Sequence, residues 1–231
     1  MIIANVATYP KRYGTRRAAL NSIAQQVDVL NVALNEYSEV PDDLIGLEKA
    51  NFLFPEENLK DVGKFILGAE ADGDVFLCDD DIIYPSDYVS WVLKVAADID
   101  LPEFVFGLHG VTYSDYYDGR KRSGRLVHVF HGALEADVRV NQLGTGTVYT
   151  KGRNLMTLSE MHGSDGYVDI RFARLMFERG IPQICIARPA SWLTEIQNDE
   201  TLYLSVTSDL PIEALREVQV FGGLGKLYPQ T

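Results

Sequence analysis

Asp74-Val75-Phe76-Leu77-Cys78-Asp79-Asp80-Asp81 is the stretch that decides the fold of this chain. Its apolar run, Val75-Phe76-Leu77, has the length of a short buried strand and ends in three consecutive acids. A carboxylate at the end of a buried strand needs a hydrogen bond, a cation or water, because an isolated buried charge is costly. Hard divalent ions take oxygen ligands, and Mg2+ is typically held by one or two carboxylates together with the phosphates of a substrate. In open α/β sheets ligands bind in the crevice beyond the carboxyl ends of the strands, where these acids would lie. The cluster therefore points to a metal ion neutralising a phosphorylated ligand. A solvated acidic turn capping the helix that opens at Ser86 is the other reading of the same residues. No basic residue lies within four positions of the cluster on either side, so repulsion among the three carboxylates is not relieved locally, which favours a cation. A phosphatase signature of the form D-x-D-x-[TV] would require Thr or Val where Ile83 stands.

Outward from the cluster, strands and helices alternate. Residues 2–8 are apolar and β-branched, and Pro10 and Gly14 break the run. Thr15 is placed to cap a helix whose apolar positions are Ala19, Leu20, Ile23, Ala24 and Val27. Val29–Leu34 reads as a second strand ending at Asn35-Glu36, residues 37–50 as a loop, and Asn51–Phe54 as a short strand. The spacing predicts a helix over 59–71, the acidic-cluster strand over 74–78, a helix from Ser86 with Val89, Val92, Leu93 and Ala96 on one face, and a strand at 104–108. This β-α-β-α-β order predicts an α/β fold with a mainly parallel central sheet flanked by helices. Beyond it, the Tyr- and Arg-rich residues 109–140 around Gly119 and Gly124 suggest a smaller antiparallel hairpin. Strands are predicted at 147–150 and 184–187, a helix at 168–179 closed by Gly180 and Pro182, and a last helix at 211–218.

The totals exclude some classes of partner. The 231 residues are 46% hydrophobic and 23% charged, an ordinary globular balance with enough apolar residue for a sizeable core. A net charge of −12 argues against nucleic acid or anionic lipid as the main partner, since both need a basic face. No stretch approaches the roughly 18 apolar residues of an integral membrane segment. The two cysteines, Cys78 and Cys185, sit in apolar runs and are expected to be buried free thiols. The opening residues lack a basic leader, and a cytoplasmic setting is expected.

Further motifs have two readings each. Lys64, after Gly63, is either a surface lysine or a point charge for a phosphate. Gly222-Gly223-Leu224-Gly225-Lys226 lacks the Ser or Thr that follows the lysine of a phosphate loop and reads as a flexible tail or lid segment. Gly144-Thr145-Gly146-Thr147 is either a turn or a place where a ligand approaches the backbone. Asp165 and Asp169, around the start of the 168–179 helix, either cap it or supply a general base. Among His109, His128, His131 and His162 there is no tight metal spacing, and His109, following a strand, faces the cleft edge.

In this order the pieces resemble a glycosyltransferase of the GT-A fold, close to the family 2-like enzymes with a D-x-D motif, over most of residues 1–195. Ala7-Thr8-Tyr9-Pro10 with Arg12 resembles that family's first strand and the turn against the nucleotide base, and Asn35-Glu36 the end of its second strand beside the nucleoside. Gly63-Lys64 followed by the acidic strand resembles its Gly-Lys helix and D-x-D strand. The resemblance implies that Thr8, Pro10, Arg12, Asn35, Glu36, Lys64, Asp79 and Asp80 bind the nucleotide sugar and that Asp81, with Asp79, holds the metal. In the family an Asp opens the acceptor-side helix and a Gly closes it eleven residues later, a spacing that Asp169 and Gly180 keep and Asp165 does not. The usual Glu-Asp pair is here Val168-Asp169, and no His follows the next strand, where the chain reads Ala187-Arg188-Pro189-Ala190-Ser191-Trp192.

The organisation expected on this resemblance is a single domain. Residues 1–108 would bind the nucleotide sugar, 109–195 the acceptor, and 196–231 would form a C-terminal tail or lid. The activity implied is Mn2+- or Mg2+-dependent, inverting transfer of a sugar from a UDP-sugar to the hydroxyl of a glycan or other acceptor, as in surface-polysaccharide synthesis. Asp169 would be the catalytic base and Lys64 or Arg12 would add positive charge. His109, Thr145, Gly146 and Trp192, together with tyrosines 113, 116 and 117, would line the acceptor side. Two alternatives are a sugar-phosphate nucleotidyltransferase and a non-catalytic carbohydrate- or metal-binding module. The former normally has a Gly-rich basic loop after the first strand, where this chain has only Tyr9-Pro10-Lys11-Arg12-Tyr13-Gly14.

Overall fold

The computed structural model describes residues 1–99, 103–120, 123–196 and 210–227. Its strands in chain order are β1 (Ile2–Thr8), β2 (Val29–Leu34), β3 (Ala50–Leu53), β4 (Asp74–Cys78), β5 (Ile82–Ile83), β6 (Val105–Gly107), β7 (Gly110–Tyr113), β8 (Arg125–His128), β9 (Val138–Val140), β10 (Gln142–Leu143), β11 (Thr147–Lys151), β12 (Gln183–Cys185) and β13 (Thr194–Glu195). The α-helices are α1 (Arg16–Ala24), α2 (Tyr88–Asp98), α3 (Leu158–Met161), α4 (Val168–Glu178) and α5 (Ile212–Phe221). Eight strands form one sheet in the order β3-β2-β1-β4-β11-β6-β12-β9. Neighbours pair in parallel except where β11 meets β4 and β6 and where β9 meets β12. A small antiparallel sheet, β10-β7-β8, contains the hairpin expected from residues 109–140. The α/β class and the mainly parallel sheet read from the sequence are therefore the observed ones.

Strand β4 explains why the sheet holds. Phe76 and Cys78 belong to one core with Leu20, Ile23, Tyr84, Tyr88 and Val92, which covers the α1 and α2 face. Val75 and Leu77 belong to the other core with Phe65, Met161, Phe172 and Met176, which covers the α4 face. Alternate side chains of a strand point to opposite faces, so a strand between two helical layers is apolar at every position. Register is fixed by more than apolar matching. Asn5, Asn31 and Asn51 stand opposite one another on β1, β2 and β3. Their amides form a ladder, with Asn31 donating to Asn5 at 2.9 Å and Asn51 donating to Asn31 at 3.1 Å. A one-residue slip would strand the buried amides of Asn5 and Asn31.

The chain order reverses beside β1. From β1 the chain builds β2 and β3 outward on one side and then returns to lay β4 on the other, with Val6 opposite Cys78. This is a topological switch point, the place where open α/β sheets leave a crevice for ligands. The acidic cluster follows β4 directly into it.

Three sequence expectations change. The helix over 59–71 is only a 3-10 segment, Lys60–Phe65. Gly63 packs there against β1 and β2, where an added Cβ would come within 3.0 Å of Ala33 Cβ and 3.2 Å of Ala7 Cβ, so this segment is set by close backbone approach and not by helix propensity. Thr15 precedes α1, but its hydroxyl donates to the Arg12 carbonyl and caps no helix N–H. Gly222–Lys226 is docked: Asn141 donates to the Phe221 and Gly223 carbonyls, and Lys226 donates to the Gln219 and Val220 carbonyls. The part of the expected tail or lid at 197–209 lies outside the described residues. Among the described residues no helix is long and apolar enough to cross a membrane.

One buried ion pair ties α1 to the loop after β2. Arg16, 1% exposed, donates to Asp43 through Nε at 2.9 Å and Nη2 at 2.5 Å, and to the Tyr37 hydroxyl. Its guanidinium lies between the rings of Tyr13 and Tyr37. Removing one partner of such a pair leaves an uncompensated buried charge. Asp43→Ala is therefore expected to lower the unfolding free energy by about 3–5 kcal/mol, read from urea denaturation.

Candidate functional site

The carboxyl ends of β1, β2, β4 and β6 and the turn entering β11 lie at one end of the sheet, and most of the residues singled out in the sequence meet there. Thr8 closes β1, and Arg12 ends the 3-10 turn Pro10–Arg12 that follows it. Asp79, Asp80 and Asp81 follow β4 and divide between two cations. Asp79 pairs with Lys64 of the 3-10 segment. Asp80 and Asp81 both face Arg12, at 3.4 Å from Nε and 3.0 Å from Nη1. The relief of repulsion that the local sequence lacks thus comes from two residues distant along the chain.

Asp79 is held on a second side by Tyr84. The Asp79 N–H donates to the Tyr84 hydroxyl at 2.8 Å, and that hydroxyl donates to the Gly146 carbonyl at 2.6 Å. Gly146 has no alternative here, because a Cβ at that position would overlap the Asp79 carboxylate. The glycine of the Gly144–Thr147 turn is thus explained by its closeness to an acidic side chain. Thr145 serves another residue. Both its N–H (2.8 Å) and its hydroxyl (2.6 Å) donate to Oδ1 of Asp169, in the first turn of α4. Among the described residues Asp169 Oδ2 makes no protein hydrogen bond, so one carboxylate oxygen is oriented and the other is left for a partner. A carboxylate in a helix's first turn is also favoured by the helix dipole. Asp165 lies apart from this arrangement, with its carboxylate on Lys60 at 2.6 Å and both side chains about half exposed.

Electrostatics follow from burial. Burial pushes Asp80 up to about 6 despite Arg12. Burial and then the neighbouring Asp79 charge push Asp81 up to about 7, again against Arg12. Burial alone would lower the Lys64 ammonium, but Asp79, Asp169 and Asp61 more than offset it and hold it charged. Burial lowers the His109 imidazole despite Asp169, and Gly144 packs against its side chain.

Other residues singled out in the sequence have structural partners. Asn35 accepts from the Leu59 N–H and donates to the Lys60 carbonyl, positioning the segment that carries Lys64. Glu36, exposed, accepts from Asn58, and Pro10 opens the turn that carries Arg12. Trp192 packs on Tyr88 and Trp91 and donates to Asp87 at 3.1 Å, beside the start of α2. Of the three tyrosines, Tyr113 and Tyr117 are buried and Tyr116 is exposed. Sequence reasoning singled out Thr145 and Asp169 separately but missed their pairing, and it missed Tyr84.

The donor chemistry suits a hard divalent ion in type. Asp80 Oδ2 is buried without a hydrogen-bond partner, and the Thr8 hydroxyl, which lies against Asp80, has no aligned partner either. Among the described residues, however, no three His, Cys, Asp or Glu side chains converge as a ready-made metal site. The sequence matches no protein-family model and no curated protein.

The raised carboxyls carry a stability consequence. Asp80 and Asp81 bind protons more tightly in the folded protein than at the ordinary value of 3.8, so the folded state holds more protons between about pH 4 and pH 7. Their contribution to stability is complete below that window and is lost as the pH rises through it. Urea denaturation across this range is expected to show that loss, and the double variant Asp80→Asn/Asp81→Asn is expected to flatten it.

Proposed function

We propose that the protein is a glycosyltransferase that moves a sugar from a nucleoside diphosphate sugar, with UDP as the expected nucleotide, to the hydroxyl of a glycan or other acceptor. The observation that carries this reading is the meeting, at the switch point of the sheet, of three carboxylates, a buried charged lysine and an aspartate with one oxygen fixed and one free. Asp79 and Asp81 are the residues that would hold Mn2+ or Mg2+, whose chemistry when bound is Lewis-acid stabilisation of charge on the departing diphosphate. Lys64, charged and directed at Asp79, adds positive potential on the same side. Thr145 keeps Asp169 Oδ1 engaged, so Oδ2 is the atom that accepts the acceptor hydroxyl's proton as attack begins. A single displacement of this kind inverts the anomeric centre. Asp165 is the poorer base, because its hydrogen bond to Lys60 lowers its affinity for a proton.

Product analysis tests the reading. With Mn2+ and a panel of nucleotide sugars and hydroxyl acceptors, release of a nucleoside diphosphate is expected. Release of pyrophosphate would favour a nucleotidyltransferase, and no turnover with any donor would favour a binding module. Asp169→Asn is expected to lower kcat by about 10²–10⁴ while leaving nucleotide binding intact. Thr145→Val, which deletes one hydrogen bond to a charged acceptor, is expected to lower kcat about tenfold, and Thr145→Ser to stay near the parent value. Loss of donor binding in Asp169→Asn would remove this residue from the role of base.

A further inference from the structure

The three buried arginines among the described residues are held in different ways. Arg16 meets Asp43 through two aligned hydrogen bonds. Arg188 donates to the carbonyls of Phe130, Ile186, Val129 and His128 at 2.7–3.3 Å. Arg12 does neither. Its guanidinium is 7% exposed and lies between Asp80 and Asp81, yet neither Nε nor Nη1 forms an aligned hydrogen bond. On the facing side Asp80 Oδ2 and the Thr8 hydroxyl are also without aligned partners. Buried guanidinium and carboxylate groups that form a permanent structural pair satisfy one another's donors and acceptors, as Arg16 and Asp43 do. Arg12 supplies charge to its site without filling the hydrogen-bonding positions there.

We propose that Arg12 is an exchangeable counter-ion: in the ligand-free protein it closes the acidic cluster to divalent cations, and a nucleoside diphosphate opens the cluster by taking the guanidinium onto its phosphate. The inference rests on the glycosyltransferase reading of the site. A planar guanidinium matches phosphate oxygens as well as carboxylate oxygens in bidentate geometry. Withdrawing it without replacement leaves Asp80 and Asp81 buried and uncompensated, so it does not leave unaided. Phosphate draws the arginine out and a divalent ion replaces its charge, so each ligand raises the affinity for the other by the same factor. A cation alone must compete with an internal one already in position.

The test is Mn2+ binding, followed by the loss of the free-ion electron paramagnetic resonance signal, with and without UDP, for the parent protein, Arg12→Gln and Arg12→Lys. The parent is expected to bind Mn2+ at least about tenfold more tightly with UDP than without it. Arg12→Gln is expected to bind Mn2+ alone at least about tenfold more tightly than the parent does, and to lose most of the dependence on UDP. Arg12→Lys keeps the charge, but its single ammonium does not span both carboxylates. Its UDP dependence is expected to weaken, and this variant carries the test if the neutral one does not fold. The proposal is overturned if the parent binds Mn2+ alone as tightly as with UDP. It is equally overturned if removing the guanidinium leaves the UDP dependence unchanged. If no protein takes up Mn2+ under any condition, the metal reading of the site fails and the counter-ion proposal with it, a result distinguishable from UDP-dependent binding that does not respond to Arg12.

Discussion

The structure depends on compensating three adjacent carboxylates at the end of a strand that is buried on both faces. Strand β4 sits in the middle of the sheet between β1 and β11, and of the acids that follow it Asp80 and Asp81 are largely buried while Asp79 is partly exposed. Side-chain alternation sends Phe76 and Cys78 to one core and Val75 and Leu77 to the other, and the acids follow where the strand ends. Two cations meet them. Lys64 comes from the face covered by the 3-10 segment and meets Asp79, and Arg12 comes from the turn after β1 and meets Asp80 and Asp81. Desolvation still outweighs this compensation at Asp80 and Asp81, whose carboxyls hold protons more tightly than exposed ones. Two cations face three acids, so the cluster is only partly compensated in charge and is left unsatisfied in hydrogen bonding at Arg12 and Asp80.

The surrounding frame places both cations. The asparagine ladder across β1, β2 and β3 locks the register on the face that Lys64 approaches, and Asn5 also reaches toward the Leu67 carbonyl in the chain just beyond the 3-10 segment. Asn35 fixes the start of that segment, and Gly63 allows it to lie directly on Ala7 and Ala33. These contacts leave Lys64 almost wholly buried, where a lysine is tolerated only beside carboxylates. Rigidity in the frame and incompleteness at Arg12 therefore coexist within one crevice.

Much of this was legible in the sequence because the signals were local. The run Ile2–Thr8, the run Val29–Leu34 and the amphipathic helix ended by Gly180 carry their periodicity and their stop signals within themselves. The acidic cluster was legible as a candidate site for the same reason. The helix expected over 59–71 was not the structure, because apolar spacing there reports packing on β1 and β2 while Gly63 and Gly68 give up helix propensity. Pairings across long separations left no local trace. Arg12 and Asp80 are far apart in sequence, as are Thr145 and Asp169, and the lack of a nearby base read as a need for an external ion where the fold supplies two internal ones.

The second half of the chain shows why site residues there were harder to assign than elements. Its strands are two to five residues long; β11, β12 and β13 pair with β4, β6 and β5 of the first half, while β7, β8 and β10 pair with one another and β9 pairs with β12, so their position is decided by pairing across the fold and not by their own sequence. The same dependence joins the two sides of the crevice. The Gly166 N–H donates to Asp61, and Lys60 reaches Asp165, so the segment carrying Lys64 is tied to the loop that leads into α4 and Asp169. At its far side α4 is held by the Arg171–Glu217 ion pair with α5, where Glu217 is 7% exposed. The free oxygen of Asp169 and the charge of Lys64 are thus positioned by one connected set of contacts.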